Sequence, residues 1–191
     1  MKTLNMILVA SVVTASAALA GEGAPKGWFL AGSSPKDYKT SVDTNMTRSG
    51  KTSACLKSVV ATPAGFGTMM QTIKADSYRG KRVRMSGYVR SDGVTDWAGL
   101  WMRVDGPKGE PMAFDNMQNR AIKGTGDWSK YDVVLDVPAD AKEIAFGVLL
   151  SGTGQVWIND LSFESVGNDV AVTGTGATRE LPKKPKLDFE K

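Results

Sequence analysis

The sequence contains no histidine and only one cysteine among its 191 residues. The lack of histidine excludes Ser-His-Asp and Cys-His catalysis, histidine-based zinc sites and histidine pH switches. The single cysteine, Cys55, excludes an intramolecular disulfide, and its apolar neighbours indicate a small buried side chain. Only carboxylates remain as acids and bases, so we expect that the protein is not an enzyme.

A strong excess of charge is also missing. The formal net charge is +4 at pH 7, and the basic residues are dispersed along the chain. The densest basic cluster includes Arg82 and Arg84, which would share one solvated face of a strand. We therefore expect no nucleic-acid partner.

Long apolar runs are absent except at the N-terminus. A short basic start (1–3) is followed by an apolar stretch (4–19) that ends in Ala18-Leu19-Ala20. This pattern is typical of a secretory signal peptide cleaved after Ala20, and the stretch is too short and too rich in small polar residues to favour a membrane anchor. We expect a secreted or periplasmic protein with no membrane span.

Helical periodicity is absent as well, and the chain shows short alternating segments separated by turn residues. In the segment 82–90, apolar Val83, Met85 and Val89 alternate with polar residues. The predicted strands are 52–61, 68–74, 82–90, 99–106, 112–116, 127–137, 143–151 and 155–164. Strands of this number and spacing predict an all-β fold, a two-sheet antiparallel β-sandwich.

Turn residues and composition define the predicted boundaries. Ser91-Asp92-Gly93 predicts a turn, and Gly152-Thr153-Gly154 predicts a tight hairpin. The domains are a signal peptide (1–20), a β-sandwich (21–167) and a linker-like C-terminal tail (168–191), for which we expect an extended conformation.

Three segments carry a family resemblance: Q-T-I-K-A-x-x-Y-R-G-K-x-V-R-x-S-G-Y-V (71–89), D-W-x-x-Y-x-x-x-L-D-V-P (127–138) and I-x-F-G-V-x-L-x-G-x-G-x-V-W (144–157). Together they resemble galactose-binding-like jelly rolls, especially carbohydrate-binding modules. They are also similar to a bacterial sandwich domain of unassigned role, found in exported proteins and attached to some transcription regulators. The resemblance implies a jelly roll with ligands on a concave sheet face or on edge loops.

The resemblance has two further implications. Jelly rolls of this kind often hold a structural calcium, and Asp160 matches the acidic position of the last strand, with Asp43 as the nearest early candidate. No other cofactor is expected. The segment 187–190 is similar to the opening strand that usually precedes a Gly-Trp pair such as Gly27-Trp28. We hypothesise that the tail supplies this strand; the alternative is a disordered end.

One predicted strand, 99–106, carries an unusual polar face. Leu100, Met102 and Val104 would point to the core, while Trp101, Arg103 and Asp105 would lie on the opposite face. An aromatic ring that stacks on a sugar, next to planar polar groups for its hydroxyls, is the composition expected of a carbohydrate site. The alternative is a core tryptophan beside an ordinary surface ion pair. Additional candidate ligand-binding residues on other segments are Gln71, Asn116 and Arg120.

These residues favour a non-catalytic binding module, expected to be monomeric, for a carbohydrate-like ligand. The alternative is a protein-interaction or sensory module of the envelope, with an envelope protein as its partner and no sugar site. A weaker alternative is a small glycoside hydrolase that uses Asp105 and Asp115, since such enzymes need two carboxylates at a fixed separation.

Overall fold

The computed structural model describes residues 23–176, which form an all-β antiparallel jelly-roll sandwich, as predicted. The strands are β1 (Phe29–Gly32), β2 (Tyr38–Arg48), β3 (Lys51–Ser58), β4 (Phe66–Lys74), β5 (Lys81–Asp105), β6 (Pro111–Asp115), β7 (Ile122–Val137), β8 (Glu143–Ser151), β9 (Gln155–Val166) and β10 (Thr175–Gly176). Two short 3-10 helices, Pro35–Asp37 and Gln118–Arg120, lie in connections. No helix in this part of the chain is long and apolar enough to cross a membrane.

The long strand β5 belongs to both layers of the sandwich. Its first half pairs with β9 and β7, and its second half pairs with β8 and β6. Layer 1 therefore has the order β2-β3-β9-β5-β7, and layer 2 has the order β1-β4-β8-β5-β6-β10. Register shifts between Val89 and Ala98 bend β5 from one layer into the other. The turn predicted at 91–93 is wrong, because these residues lie within the bulged strand.

The alternation predicted for β5 is confirmed on both sides of this bend. Val83 and Met85 in layer 1, and Leu100 and Met102 in layer 2, are completely buried between the layers. Burying a side chain of this size stabilises the fold by about 1.5–3 kcal/mol. The inward rows of β5 thus form the centre of the core.

The predicted hairpin at 152–154 is also wrong, because β8 and β9 lie in different layers and do not pair with each other. The segment crosses from layer 2 to layer 1 against the bend of β5. Gly154 has φ 113°, and a Cβ there would lie 2.6 Å from the carbonyl oxygen of Gly93. The close approach of two backbones explains why glycine is needed at this position.

The end of the described chain runs along the edge of the sandwich. The Thr173 amide donates to the Val134 carbonyl at 2.9 Å, and β10 pairs with β6. The strand hypothesised at 187–190 lies outside the described residues.

Candidate functional site

The outward side of layer 2, which we call the front face, combines apolar and polar side chains. Register across β4, β8 and β5 aligns Met70 with Gly147 and Trp101, and Thr72 with Ala145 and Arg103. The outward residues of the face are Met70, Thr72, Trp97, Trp101, Arg103, Asp105, Phe114, Ala145 and Leu149. Strand pairing thus brings Trp101, Arg103 and Asp105 together on one face, as alternation within β5 predicts.

Trp101 lies in an apolar cluster on this face, and only 7% of the residue is exposed. It packs with Ala145 and Leu149, and the partly buried Met70 and Trp97 contact the same cluster. Its indole N–H donates to the Thr68 hydroxyl at 2.7 Å, and this hydroxyl in turn donates to the Val148 carbonyl at 2.9 Å. The ring is therefore fixed within the face, and the neighbouring Trp97 is the more exposed indole.

Arg103 and Asp105 form a two-pronged ion pair beside this cluster. The Arg103 Nε and Nη2 atoms donate to the two carboxylate oxygens at 2.8 and 2.9 Å. The side chain of Asp105 is 9% exposed and that of Arg103 is 30% exposed. Such forked geometry fixes both planar groups in orientation.

A pocket of about 460 Å³ opens at this ion pair. Its lining consists of Arg103, Asp105, Gly106, Pro107, Gly109, Lys142 and Glu143. Glu143 reaches the pocket because it is the register partner of Asp105 on β8. The sequence prediction missed Lys142 and Glu143, which only the pairing of β8 with β5 could have indicated.

Gln71 lies on the other side of layer 2. Its register partner is Phe146, which faces the core, and the Gln71 amide nitrogen lies near Gly27. The prediction that Gln71 joins Trp101 is therefore wrong. Side chains alternate along β4, so Met70 and Thr72 occupy the front face instead.

Asn116 and Arg120 hold the connection between β6 and β7. The Asn116 side-chain oxygen accepts the Gln118 amide at 3.1 Å. Arg120 donates to both carboxylate oxygens of Asp115 and to the Asp132 carbonyl. Both side chains thus stabilise a loop, and neither lines the pocket at Arg103.

Asp115 is the buried acceptor at the centre of this network. Burial alone would raise the pKa of Asp115, but hydrogen bonds from Arg120, Thr173 and the Met117 amide outweigh it and lower the pKa. Asp115 is the register partner of the inward-facing Met102, whereas Asp105 lies on the front face. The two carboxylates of the hydrolase alternative therefore point to opposite sides of layer 2.

Asp160 is held by protein cations. Lys51 donates to one carboxylate oxygen at 3.0 Å, and Arg48 donates to the other. The hydrogen bond from Lys51, together with the charges of Lys51 and Arg48, lowers the pKa of Asp160 against the effect of desolvation. Within residues 23–176 no group of three or more His, Cys, Asp or Glu side chains could hold a metal ion. The structure therefore places two cationic side chains at the calcium candidate.

The outward side of layer 1, which we call the back face, is dominated by ion pairs. Ion pairs between its strands include Arg82–Asp136, Arg84–Glu164 and Arg90–Asp127. Trp157 is also outward and buried on this face, and its indole N–H donates to Asp43 at 2.8 Å. The charged groups of the back face are thus largely neutralised by one another.

Comparison with known proteins identifies a relative by sequence. The chain is 46% identical over 167 residues to the uncharacterized HTH-type transcriptional regulator YbfP of Bacillus subtilis (strain 168). The match includes 86% of this chain, which spans 57% of the length of that relative. No protein-family model matches the sequence.

Several solved structures share the fold. The CBM22-1 xylan-binding domain of Paenibacillus barcinonensis Xyn10C is 17% identical with a TM-score of 0.55, and the match covers 78% of this chain and 92% of that domain. The CBM22-1–GH10 modules of Clostridium thermocellum Xyn10B, complexed with xylohexaose, are 16% identical with a TM-score of 0.55, covering 77% of this chain and 27% of that one. The enzymatically active domain of the bacteriophage CBA120 tailspike protein 4 is 16% identical with a TM-score of 0.58, and the match covers 74% of this chain and 20% of that one. The chain thus has the jelly-roll fold of carbohydrate-binding modules.

Proposed function

We propose that the protein is an exported, non-catalytic module that binds a carbohydrate-like ligand on the front face. The observation that carries this proposal is the pocket at Arg103 and Asp105, which opens on the same face as Trp101 and, further along β5, Trp97. Sugar sites combine an aromatic or apolar wall with a few oriented polar groups. The xylan-binding function named for one fold neighbour supports a ligand of this class.

The geometry assigns different roles to these residues. Arg103 and Asp105 are already fixed by their forked ion pair, so little conformational entropy is lost when a ligand hydroxyl binds to them. Trp101 supports the face from within the apolar cluster, and the partly buried Trp97 offers the ring for contact with a sugar. Lys142 and Glu143 form the rim of the pocket.

The test begins with a glycan array, followed by titration calorimetry with the glycans that bind and with xylohexaose. We expect binding that weakens about tenfold or more in Trp97→Ala, since an aromatic wall of this kind contributes on the order of 1–2 kcal/mol. The double variant Arg103→Gln/Asp105→Asn keeps the pair neutral and hydrogen-bonded and should weaken binding similarly.

A matched control on the back face is the double variant Arg84→Gln/Glu164→Gln, which likewise removes an arginine–carboxylate ion pair. Its affinity should equal that of the unmodified protein. The sugar site is abandoned when no glycan binds, or when the back-face control loses affinity as strongly as the front-face variants.

The non-catalytic part of the proposal is supported by the carboxylates. A glycoside hydrolase needs an acid with a raised pKa and a second carboxylate across the scissile bond. Asp115 has a lowered pKa and faces away from Asp105. Asp105 and Asp115 therefore do not form the pair of facing carboxylates that hydrolysis requires.

A second candidate is a sensory module that has no sugar site and, unlike the envelope module considered above, acts in the cytoplasm; the 46% identity to a transcriptional regulator favours it. Cellular location distinguishes the two candidates, because the N-terminal segment 1–20 has the pattern of a signal peptide. Fractionation with intact-mass measurement should find a chain beginning at Gly21 outside the cytoplasm. An uncleaved cytoplasmic chain would favour the second candidate.

A further inference from the structure

One end of the sandwich displays apolar side chains in water. Five large hydrophobic residues are exposed within the described range: Val42, Val59, Val60, Phe66 and Val172. Three of them, with exposures of 48%, 40% and 37%, lie in the segment 59–66, which consists of the connection from β3 to β4 and the first residue of β4 and which we call the apolar loop. Exposed apolar residues clustered in this way mark an interaction surface more often than isolated ones do.

The apolar loop is held firmly at both ends. The Val59 amide donates to the Asp37 carbonyl at 2.8 Å, and the Ala64 amide donates to the Asp37 carboxylate at 2.9 Å. The Tyr38 hydroxyl donates to the Gly65 carbonyl at 2.7 Å. The valines are therefore presented by an ordered loop, so ordering it on contact costs little entropy.

Three exposed lysines flank the apolar loop: Lys36, Lys39 and Lys57. Lys57 precedes the loop in β3 and lies directly opposite Lys39 on β2. Like charges at opposing positions destabilise a sheet. None of the three forms an ion pair within residues 23–176. The nearby carboxylates of Asp37 and Asp96 accept hydrogen bonds from the Ala64 amide and the Ser151 hydroxyl and form no ion pair with these lysines.

These features together describe the chemistry of the partner. Lysines without acidic partners favour contact with an anion, and adjacent exposed valines favour contact with hydrocarbon. A stable protein interface buries about 800 Å² on each side, which is more than a loop tip with three exposed apolar residues offers. A bilayer surface with anionic headgroups meets both requirements through a small contact area.

We propose that the apolar loop docks on an anionic membrane surface, with Val59 and Val60 entering the interface and Lys36, Lys39 and Lys57 facing lipid phosphates. This contact lies at the end of the sandwich that carries Gly65 and Gly152, and it does not depend on the sugar site. The module would thereby be held at a membrane surface through this loop.

The experiment is co-sedimentation of the chain beginning at Gly21, which lacks the apolar stretch 4–19, with vesicles of phosphatidylcholine alone and of equal parts phosphatidylcholine and phosphatidylglycerol. We expect binding to the anionic vesicles that decreases as salt screens the lysines. Replacing the three lysines by Gln should reduce partitioning on the order of 100-fold. The double variant Val59→Ser/Val60→Ser should reduce it about tenfold.

Matched controls replace the same residue types elsewhere: Val42→Ser/Val172→Ser, and Lys74→Gln/Lys81→Gln/Lys123→Gln. Both should bind as the unmodified chain beginning at Gly21 does. Equal binding to the two vesicle types, or equal loss in loop and control variants, would overturn the proposal. So would the absence of vesicle binding combined with self-association that Val59→Ser/Val60→Ser abolishes, since the loop would then contact a second copy.

Discussion

The front and back faces both bury an outward tryptophan, but they surround it with different side chains. Each carries an outward tryptophan that is almost fully buried and donates its indole N–H, Trp101 to the Thr68 hydroxyl and Trp157 to the Asp43 carboxylate. Around Trp157 the outward residues pair as cations with anions, whereas around Trp101 they are apolar, with one forked ion pair at a pocket. The charges of the back face thus largely neutralise one another. A ligand that covers the front face would remove more apolar surface from water.

The largest effect is expected for Trp101→Ala, which should lower the free energy of unfolding by about 3–5 kcal/mol, because it empties a buried site in the apolar cluster. Chemical denaturation monitored by circular dichroism measures the change. Trp97→Ala, at a partly buried position of the same cluster, serves as the control and should cost less. A loss below that of Trp97→Ala would mean that the Trp101 ring is not packed and is free for stacking.

An intermediate effect is expected when the ion pairs of the two faces are compared. Asp105→Asn leaves Arg103 without its anion in a largely buried setting and should cost about 1–3 kcal/mol. Glu164→Gln on the back face, where the carboxylate is half exposed, should change stability by less than about 0.5 kcal/mol. Equal losses in urea titrations at pH 7 would remove this distinction between the faces.

The smallest effect is expected in the dependence of stability on pH in the acid range. Hydrogen bonds from the Met46 amide and the Trp157 indole hold the pKa of Asp43 below its usual range. A lowered pKa in the folded state contributes stability above the usual pKa, and this contribution is lost as the pH falls through the lowered value. Asp43→Asn should therefore flatten the dependence of the urea midpoint on pH below about pH 4.

The matched front-face variant Thr68→Ser keeps an acceptor that does not titrate, so its acid profile should follow that of the unmodified protein. An unchanged profile in Asp43→Asn would show that the Trp157–Asp43 contact does not respond to protonation.

Local alternation was enough to predict the fold class and which residues of β5 face the core, because a strand places every second side chain on the same side. It also placed Trp101, Arg103 and Asp105 on one face. It could not place Gln71, since the face that β4 shares with β5 depends on register through the intervening β8. That register is set by long-range pairing and leaves no local signal.

The turn prediction at 91–93 was wrong for a related reason. Ser91-Asp92-Gly93 has the composition of a turn, but pairing with β7 and β9 on both sides keeps it within β5 as a bulge. The role of Arg120 in stabilising the connection between β6 and β7 could not be predicted either, because its partners Asp115 and Asp132 come from strands on either side of that connection. Local chemistry indicated an irregular backbone at 91–93, and tertiary pairing decided its form.

The bend in β5 has a consequence for how the protein unfolds. Because a single uninterrupted strand contributes hydrogen bonds to both layers, one layer cannot open fully without removing pairing partners from the other. We therefore expect the amides of the two layers to exchange with deuterium through the same global opening, so that the sandwich behaves as one cooperative unit rather than as two separable sheets.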